Sequence, residues 1–210
     1  MRIAGETENR VPRLRPDCGS AIINSAPVVD DRQSRAEPAI MSDDSQDDVF
    51  LAGGQLRVDL LSEEALQALQ ESARFARDTR WDSVRSPHLF MGLLAVPDAG
   101  VQNWGDRLGA DLPRLLDQFR ELFHQEQGED CCCVHLHREF LSDNVIQLLR
   151  EARQRACEHQ RDSVTPMDLL ISLFTTPNSI VAECFERIGV TAAKLTELAV
   201  IAEQFANSSH

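Results

Sequence analysis

The segment "GEDCCCVHLHREF" (128–140) concentrates the side chains best suited to chemistry. Cys131, Cys133, His135 and His137 alternate along it, so an extended backbone would place all four on one face. Cysteine and histidine are the usual ligands of zinc and copper. An extended strand, however, spreads its ligands along a line, whereas zinc needs four ligands around one point. The sequence also has no Cys-x-x-Cys pair, so we predict a polar linker with exposed thiols and no bound metal or other cofactor.

A redox role is the other chemistry open to this linker, because neighbouring thiols oxidise easily. Reactive cysteines have a lowered pKa, and no residue nearby in the sequence indicates one. The alternative function is therefore a metal- or redox-responsive protein that uses the Cys131–His137 linker as its sensor.

The composition of the chain argues against some classes of binding partner. The chain has 210 residues and a formal net charge of −13, which argues against nucleic acid or an anionic membrane as a partner. No apolar run approaches the roughly 20 residues that span a bilayer, and no secretory signal is present. The six cysteines cluster in a way that does not suggest a disulfide framework, so we expect a cytoplasmic protein with free thiols.

The first residues lack the periodicity of helices or strands. Residues 1–55 are rich in Pro, Ser, Asn, Asp and Arg, and we predict a disordered tail there. Met41 begins "MSDDSQDDVF" and is a candidate start site, in which case the residues before it are untranslated.

The chain repeats itself with an offset of eighty residues. Residues 61–84 align without a gap with residues 141–164, that is, "LSEEALQALQESARFARDTRWDSV" with "LSDNVIQLLREARQRACEHQRDSV". The same offset aligns "RLG" (107–109) with "RIG" (187–189). Such register over roughly sixty residues indicates a duplication. We predict one domain at 56–206, with repeat 1 at 61–127, a linker at 128–138 and repeat 2 at 139–206.

Each repeat is predicted to form four helices. Apolar residues recur at helical spacing, and no β-type alternation of useful length interrupts them. Helix boundaries follow from N-cap hydroxyls or carboxylates, prolines at helix starts and stops, and glycines at C-caps. These signals are Ser62, Ser86-Pro87, Pro97, Gly109 and Asp111 in repeat 1, and Ser142, Thr165-Pro166, Pro177, Gly189 and Thr191 in repeat 2. The expected fold is all-α: two tandem pseudo-symmetric four-helix repeats, about eight helices, after the tail.

Three pairs of segments resemble the Clp N-terminal (Clp R) domain, the double-repeat module of Clp-type AAA+ ATPases. They are "ALQESARFA" with "LLREARQRA", "SPHLFMGLL" with "TPMDLLISLF", and "RLGADLPRLL" with "RIGVTAAKLT". The second pair is similar to the family's Thr-Glu-His-Ile-Leu-Leu-Gly-Leu segment, and the third to its Leu-Gly-Val-Asp pattern. The resemblance covers about residues 56–206.

This resemblance implies a fold of two pseudo-symmetric four-helix bundles that docks proteins. The family's ATPase ring needs a P-loop, whereas the sole lysine here, Lys194, follows no glycine loop. We therefore expect a separate, non-enzymatic docking module for protein quality control and proteolysis. Its expected partners are protein clients, adaptors or a Clp-type AAA+ ATPase.

The resemblance also implies candidate binding residues. In some family members the glutamate of the Thr-Glu-His segment binds phosphoarginine. Pro87 and Met167 stand at the matching positions, and neither accepts a charged hydrogen bond. His88 matches the family's histidine, and Asp168 replaces it in repeat 2. We expect Pro87, His88, Met167 and Asp168 to mark the protein-binding surface, at the starts of the second helices.

A hydrolase or transferase is the weakest hypothesis. It rests on His88 and scattered carboxylates, with no catalytic partner placed beside them and no G-x-S-x-G motif. A buried His at a helix start is more often a hydrogen-bonded structural residue, so we predict no catalytic residues.

Overall fold

A computed structural model describes residues 49–123, 136–177 and 179–207 of the chain. The duplicated spacing of apolar residues gives eight α-helices within these ranges, and the predicted all-α class is confirmed. Repeat 1 contains α1 (Glu63–Asp78), α2 (Ser86–Ala95), α3 (Ala99–Leu108) and α4 (Leu112–Leu122). Repeat 2 contains α5 (Asp143–Glu158), α6 (Pro166–Thr175), α7 (Ile180–Glu186) and α8 (Ala192–Asn207). Among the described helices, none combines the length and apolar character that crossing a bilayer requires.

Two reciprocal backbone pairings join the repeats. The segment before α1 pairs with the segment before α6, where Ser62 N–H donates to the Val164 carbonyl at 2.9 Å. The segment before α5 pairs with the segment before α2, where Ser142 N–H donates to the Val84 carbonyl at 3.0 Å. The members of the two pairs are eighty residues apart, so an approximate two-fold axis relates the halves.

The turns repeat as well as the helices. Arg80 and Gln160 follow α1 and α5 with φ of 56° and 55°, a left-handed conformation that is uncommon outside glycine. Gly109 and Gly189 also have positive φ, as predicted for residues that end a helix. The two halves therefore have the same backbone conformation at these turns, although some of their side chains differ.

Most predicted N-caps are confirmed, one lacks its side-chain hydrogen bond, and one is wrong. Ser62 accepts from the backbone of its first turn, as do Asp111 and Thr191. The hydroxyl of Ser142, although it is at the N-cap, makes no such bond. The predicted cap Ser86 is wrong: Ser86 is itself helical, and the N-cap of α2 is Arg85, whose N–H is bound by His88 as that of Thr165 is bound by Asp168.

Five aromatic rings pack together in the core. Ring centroids lie 4.7 Å apart for Phe90–Phe119 and 5.5 Å apart for Trp104–Phe174. The cluster consists of Phe90, Trp104, Phe119, Phe174 and Phe185. Their counterparts eighty residues away are Leu170, Cys184, Ala199, Leu94 and Gly105. Every ring therefore has a smaller residue at its symmetry-related position, which lets five rings share one space near the boundary between the repeats.

Residues assigned by sequence to the disordered tail take part in the core. Val49 and Phe50 are buried, and Phe50 pairs with Leu56 across a turn that contains Gly54. Gly54 has φ of 81°, which a residue with a side chain rarely adopts. Leu56 N–H in turn donates to the Leu136 carbonyl at 3.1 Å. The glycine turn thus folds apolar residues back onto the domain and ties them to the chain that enters repeat 2.

Candidate protein-binding site

The four residues predicted to bind partners lie at the starts of α2 and α6, and all four are buried. Pro87, His88, Met167 and Asp168 belong to the first turns of these helices. Only 2% of His88 and 3% of Met167 is exposed, and Asp168 is fully buried. None of these side chains presents a surface as folded, so their role in partner binding stays a prediction.

Asp168 is held by hydrogen bonds from two directions. Its carboxylate accepts from the N–H and the hydroxyl of Thr165, both at 2.9 Å, which caps the start of α6. The guanidinium of Arg161 donates twice to the same carboxylate, both at 2.7 Å. This two-pronged geometry is the strong form of an arginine–carboxylate pair.

Arg155 and Glu203 complete a cluster that we call the charge quartet (Arg155, Arg161, Asp168 and Glu203). Arg155 Nε lies 3.3 Å from Asp168 Oδ1, and Arg161 Nη2 lies 3.0 Å from Glu203 Oε1. Arg155 also pairs with Glu203. Two positive and two negative charges thus balance, as buried charges must. The quartet joins α5, α6 and α8.

Repeat 1 has aromatic rings where repeat 2 has the quartet. Counting back eighty residues gives Phe75, Trp81, His88 and Phe123. His88 keeps the capping role, since its Nδ1 accepts from Arg85 N–H at 3.0 Å. The edge of its ring meets Trp81, with centroids 5.6 Å apart, and the Arg85 guanidinium lies over Trp81 at 4.3 Å.

Met167 has a packing role of its own. A Cβ added to Gly100 would lie 2.6 Å from Met167 Cγ, so the side chain occupies the space beside the start of α3. The starts of α2 and α7 also adjoin, because Ser86 and Ser179 line one small cavity. The two second helices are therefore fixed against the third helices of the opposite repeats.

Comparison with known proteins bears on the fold. No protein-family model matches the sequence, and a search of curated proteins finds no match. Among solved structures, the N-terminal domain of the caseinolytic protease associated chaperone ClpD from Arabidopsis thaliana superposes with a TM-score of 0.53. It is 16% identical, and the match covers 72% of this chain and 99% of that one. The chain has the fold of a Clp N-terminal domain.

A second solved structure supports the same assignment. The N-domain of ClpV from Vibrio cholerae matches 69% of this chain and 86% of its own length, at 16% identity and a TM-score of 0.51. The fold expected from the sequence resemblance is thus confirmed.

In this Clp N-domain fold, His88 makes stability depend on pH. Burial, with a smaller contribution from Arg85, lowers the pKa of His88 from 6.5 to about 4. The unfolded chain therefore binds the proton at a higher pH than the folded chain, and stability falls as the pH drops from 6.5 towards 4. We expect a loss of about 2 kcal/mol from this residue between pH 7 and pH 5.

The matched variant for this effect is His88→Gln, whose amide oxygen still accepts from Arg85 N–H but does not titrate. Urea unfolding of both chains at pH 7 and pH 5 isolates the contribution of His88, because all other groups titrate in both. Equal losses in the two chains would show that His88 does not carry the effect.

Only one of the four candidate metal ligands belongs to the residues that the structure describes. Cys131, Cys133 and His135 lie outside the described residues, and His137 lies inside them. His137 Nε2 donates to the Gly53 carbonyl at 2.8 Å, and its Nδ1 accepts from the N–H of the second residue after it at 3.3 Å. Both ring nitrogens are thus occupied by the backbone. The metal hypothesis stays untested, and no group of three or more potential ligands gathers within the part of the chain that the structure describes.

His137→Ala tests this structural role. We expect it to lower the free energy of unfolding by about 1–2 kcal/mol, because it removes the bond to Gly53 and leaves that turn unsupported. Thermal unfolding with and without a chelator measures the loss. The loss should be the same in both conditions, and a loss that vanishes when the chelator removes metal would instead assign His137 to coordination.

Proposed function

We propose that this chain is a non-enzymatic protein-binding module that docks protein substrates, adaptors or a Clp-type ATPase in the cytoplasm. The observation that carries the proposal is the match to the ClpD N-terminal domain over 99% of that domain's length. That domain belongs to a chaperone associated with a caseinolytic protease. A module of the same fold is suited to the same class of work.

The chemistry at the helix starts supports binding over catalysis. A general base needs a free lone pair, and the Nδ1 of His88 is engaged by Arg85 N–H. The carboxylate of Asp168 is engaged by Thr165 and by two guanidinium groups. These groups, on which the hydrolase or transferase hypothesis depends, are used to hold the fold.

We propose that the buried residues act as a framework for exposed neighbours. The first turns of α2 and α6 are held in place by four buried residues, Pro87, His88, Met167 and Asp168. Beside His88, Trp81 is 38% exposed, and an exposed large ring next to a rigid helix start suits a docking surface. Binding at the start of α2 would thus involve His88 through the ring that it helps to position.

The test uses the full chain in a binding assay with two purified probes. One is the Clp-type ATPase of the same organism, and the other is a reduced, carboxymethylated protein that cannot refold. We expect saturable binding at micromolar concentration to at least one probe, and no binding to the native form of the second probe. Absence of binding to both probes would overturn the proposal, as would ATP turnover by the pure chain.

A further inference from the structure

We propose that the corner of repeat 1 formed by Arg80, Trp81 and Arg85 binds an acidic peptide segment that carries an aromatic side chain. We call these three residues the Trp81 corner. The inference rests on the proposed protein-binding function and names the chemistry of its partner.

The exposed ring is the first observation. The core rings Phe90, Trp104 and Phe174 are buried, whereas 38% of Trp81 is exposed. His88 meets one edge of the indole, and the Arg85 guanidinium covers one face at 4.3 Å. A large ring held in place by two neighbours and still open to solvent is the type of residue that anchors protein interfaces.

The charge around the ring is the second observation. Arg80 is exposed, and 45% of the Arg85 side chain is exposed. Arg85 lies 3.4 Å from Asp82, but that carboxylate is 81% exposed, so water screens the pair and a better-placed anion would compete with it. The corner thus presents two guanidinium groups on a chain whose net charge is −13.

Repeat 2 shows that the loop itself does not require these residues. Its loop also has a left-handed residue at the corresponding position, and it has the same Asp-Ser-Val sequence, at 162–164 instead of 82–84. The three positions of the Trp81 corner are occupied there by Gln160, Arg161 and Thr165. Arg161 serves the charge quartet, so repeat 2 lacks an aromatic corner. One backbone accommodates both sets, and the cationic and aromatic character of repeat 1 therefore points to recognition.

The chemistry of the corner defines its partner. Guanidinium groups pair with carboxylates in two-pronged geometry, and an indole offers a face to another ring or to an apolar side chain. A peptide with several Asp or Glu residues next to a Phe satisfies both. A basic segment would meet two arginines of like charge, and a neutral one would bring no carboxylate to compete with Asp82 for Arg85.

The experiment uses a fluorescein-labelled peptide of Asp, Glu, Ser and Gly with a single Phe, and a neutral version with Asn and Gln at the acidic positions. Fluorescence anisotropy with the full chain measures both affinities. We expect the acidic peptide to bind about tenfold more tightly than the neutral one, and added salt to reduce the difference. Equal affinities would overturn the inference.

The variant Arg80→Gln with Arg85→Thr introduces into repeat 1 the residues that repeat 2 has at positions 160 and 165. Because the two loops share a backbone conformation, we expect the variant to keep the fold. We expect it to weaken the acidic peptide about tenfold. Arg107→Gln is the matched control. Arg107, on α3, also lies over an exposed aromatic ring, that of Phe205 at 4.4 Å, but it is not part of the Trp81 corner. The control should leave the affinity within about twofold. Equal weakening by both variants, or by neither, would overturn the proposed site.

The unfolded-client and ATPase assays separate failure of this inference from failure of the proposed function. If those probes bind the wild-type chain and the acidic peptide does not, only the Trp81 corner assignment fails. If neither those probes nor the peptide bind, both proposals fail.

Discussion

Asp168→Ala is expected to lower the free energy of unfolding by about 3–5 kcal/mol, the largest loss we predict for a single substitution. The change removes a fully buried carboxylate that receives two bonds from Arg161 and caps α6 through Thr165. It leaves Arg155 and Arg161 facing one remaining carboxylate, that of Glu203. Urea unfolding at pH 7, followed by circular dichroism, measures the loss.

Asp162→Ala is the matched control, since it makes the same chemical change at an exposed position six residues earlier. We expect it to change the free energy of unfolding by less than about 0.5 kcal/mol. A loss below about 1 kcal/mol for Asp168→Ala would show that the quartet does not hold the three helices together.

The sequence predicted the helices because each depends on signals a few residues apart. The stripe Ile146, Leu149, Ala152 and Ala156 is buried along α5, as its spacing predicts. Helix ends depend on similar local signals, such as Asp111 before α4. Each helix also has a counterpart eighty residues away with similar signals. The order of the helices could therefore be predicted from either repeat.

The charge quartet was not predictable in the same way. Glu203 is 48 residues from Arg155 and 42 residues from Arg161, and the three meet only when α5 and α8 both pack on α6. By sequence alone, Glu203 resembles a solvent-exposed residue of an amphipathic helix. The aromatic cluster was missed for the same reason, because its rings come from helices of both repeats.

The burial of the predicted binding residues has a local cause. His88 and Asp168 are each three residues after an N-cap, and a side chain there folds back to accept from the N-cap N–H. This capping rule, applied with the correct N-cap in repeat 1, would have indicated buried structural residues. Trp81 would then have been the exposed candidate of that corner.

Gly92→Ala is expected to lower the free energy of unfolding by about 2–3 kcal/mol. The sign opposes helix propensity, because Ala in place of Gly stabilises an unconstrained helix by about 1 kcal/mol. Here α2 crosses α1 so closely that a Cβ on Gly92 would overlap the carbonyl oxygen of Ala68 and the hydroxyl of Ser72. The Ala68 carbonyl cannot yield without moving the backbone, and Ser72 Oγ, which donates to it at 2.6 Å, can rotate away only by giving up that bond.

The duplication supplies the control, since Ser172 is the residue eighty positions after Gly92 and is buried in α6. Repeat 2 thus already accommodates a side chain at this crossing, and Ser172→Ala should change the free energy of unfolding by less than about 1 kcal/mol. Thermal and urea unfolding of the two variants compare the crossings directly. Stabilisation by Gly92→Ala would mean that α1 and α2 lie farther apart than described, because helix propensity alone would then decide the sign.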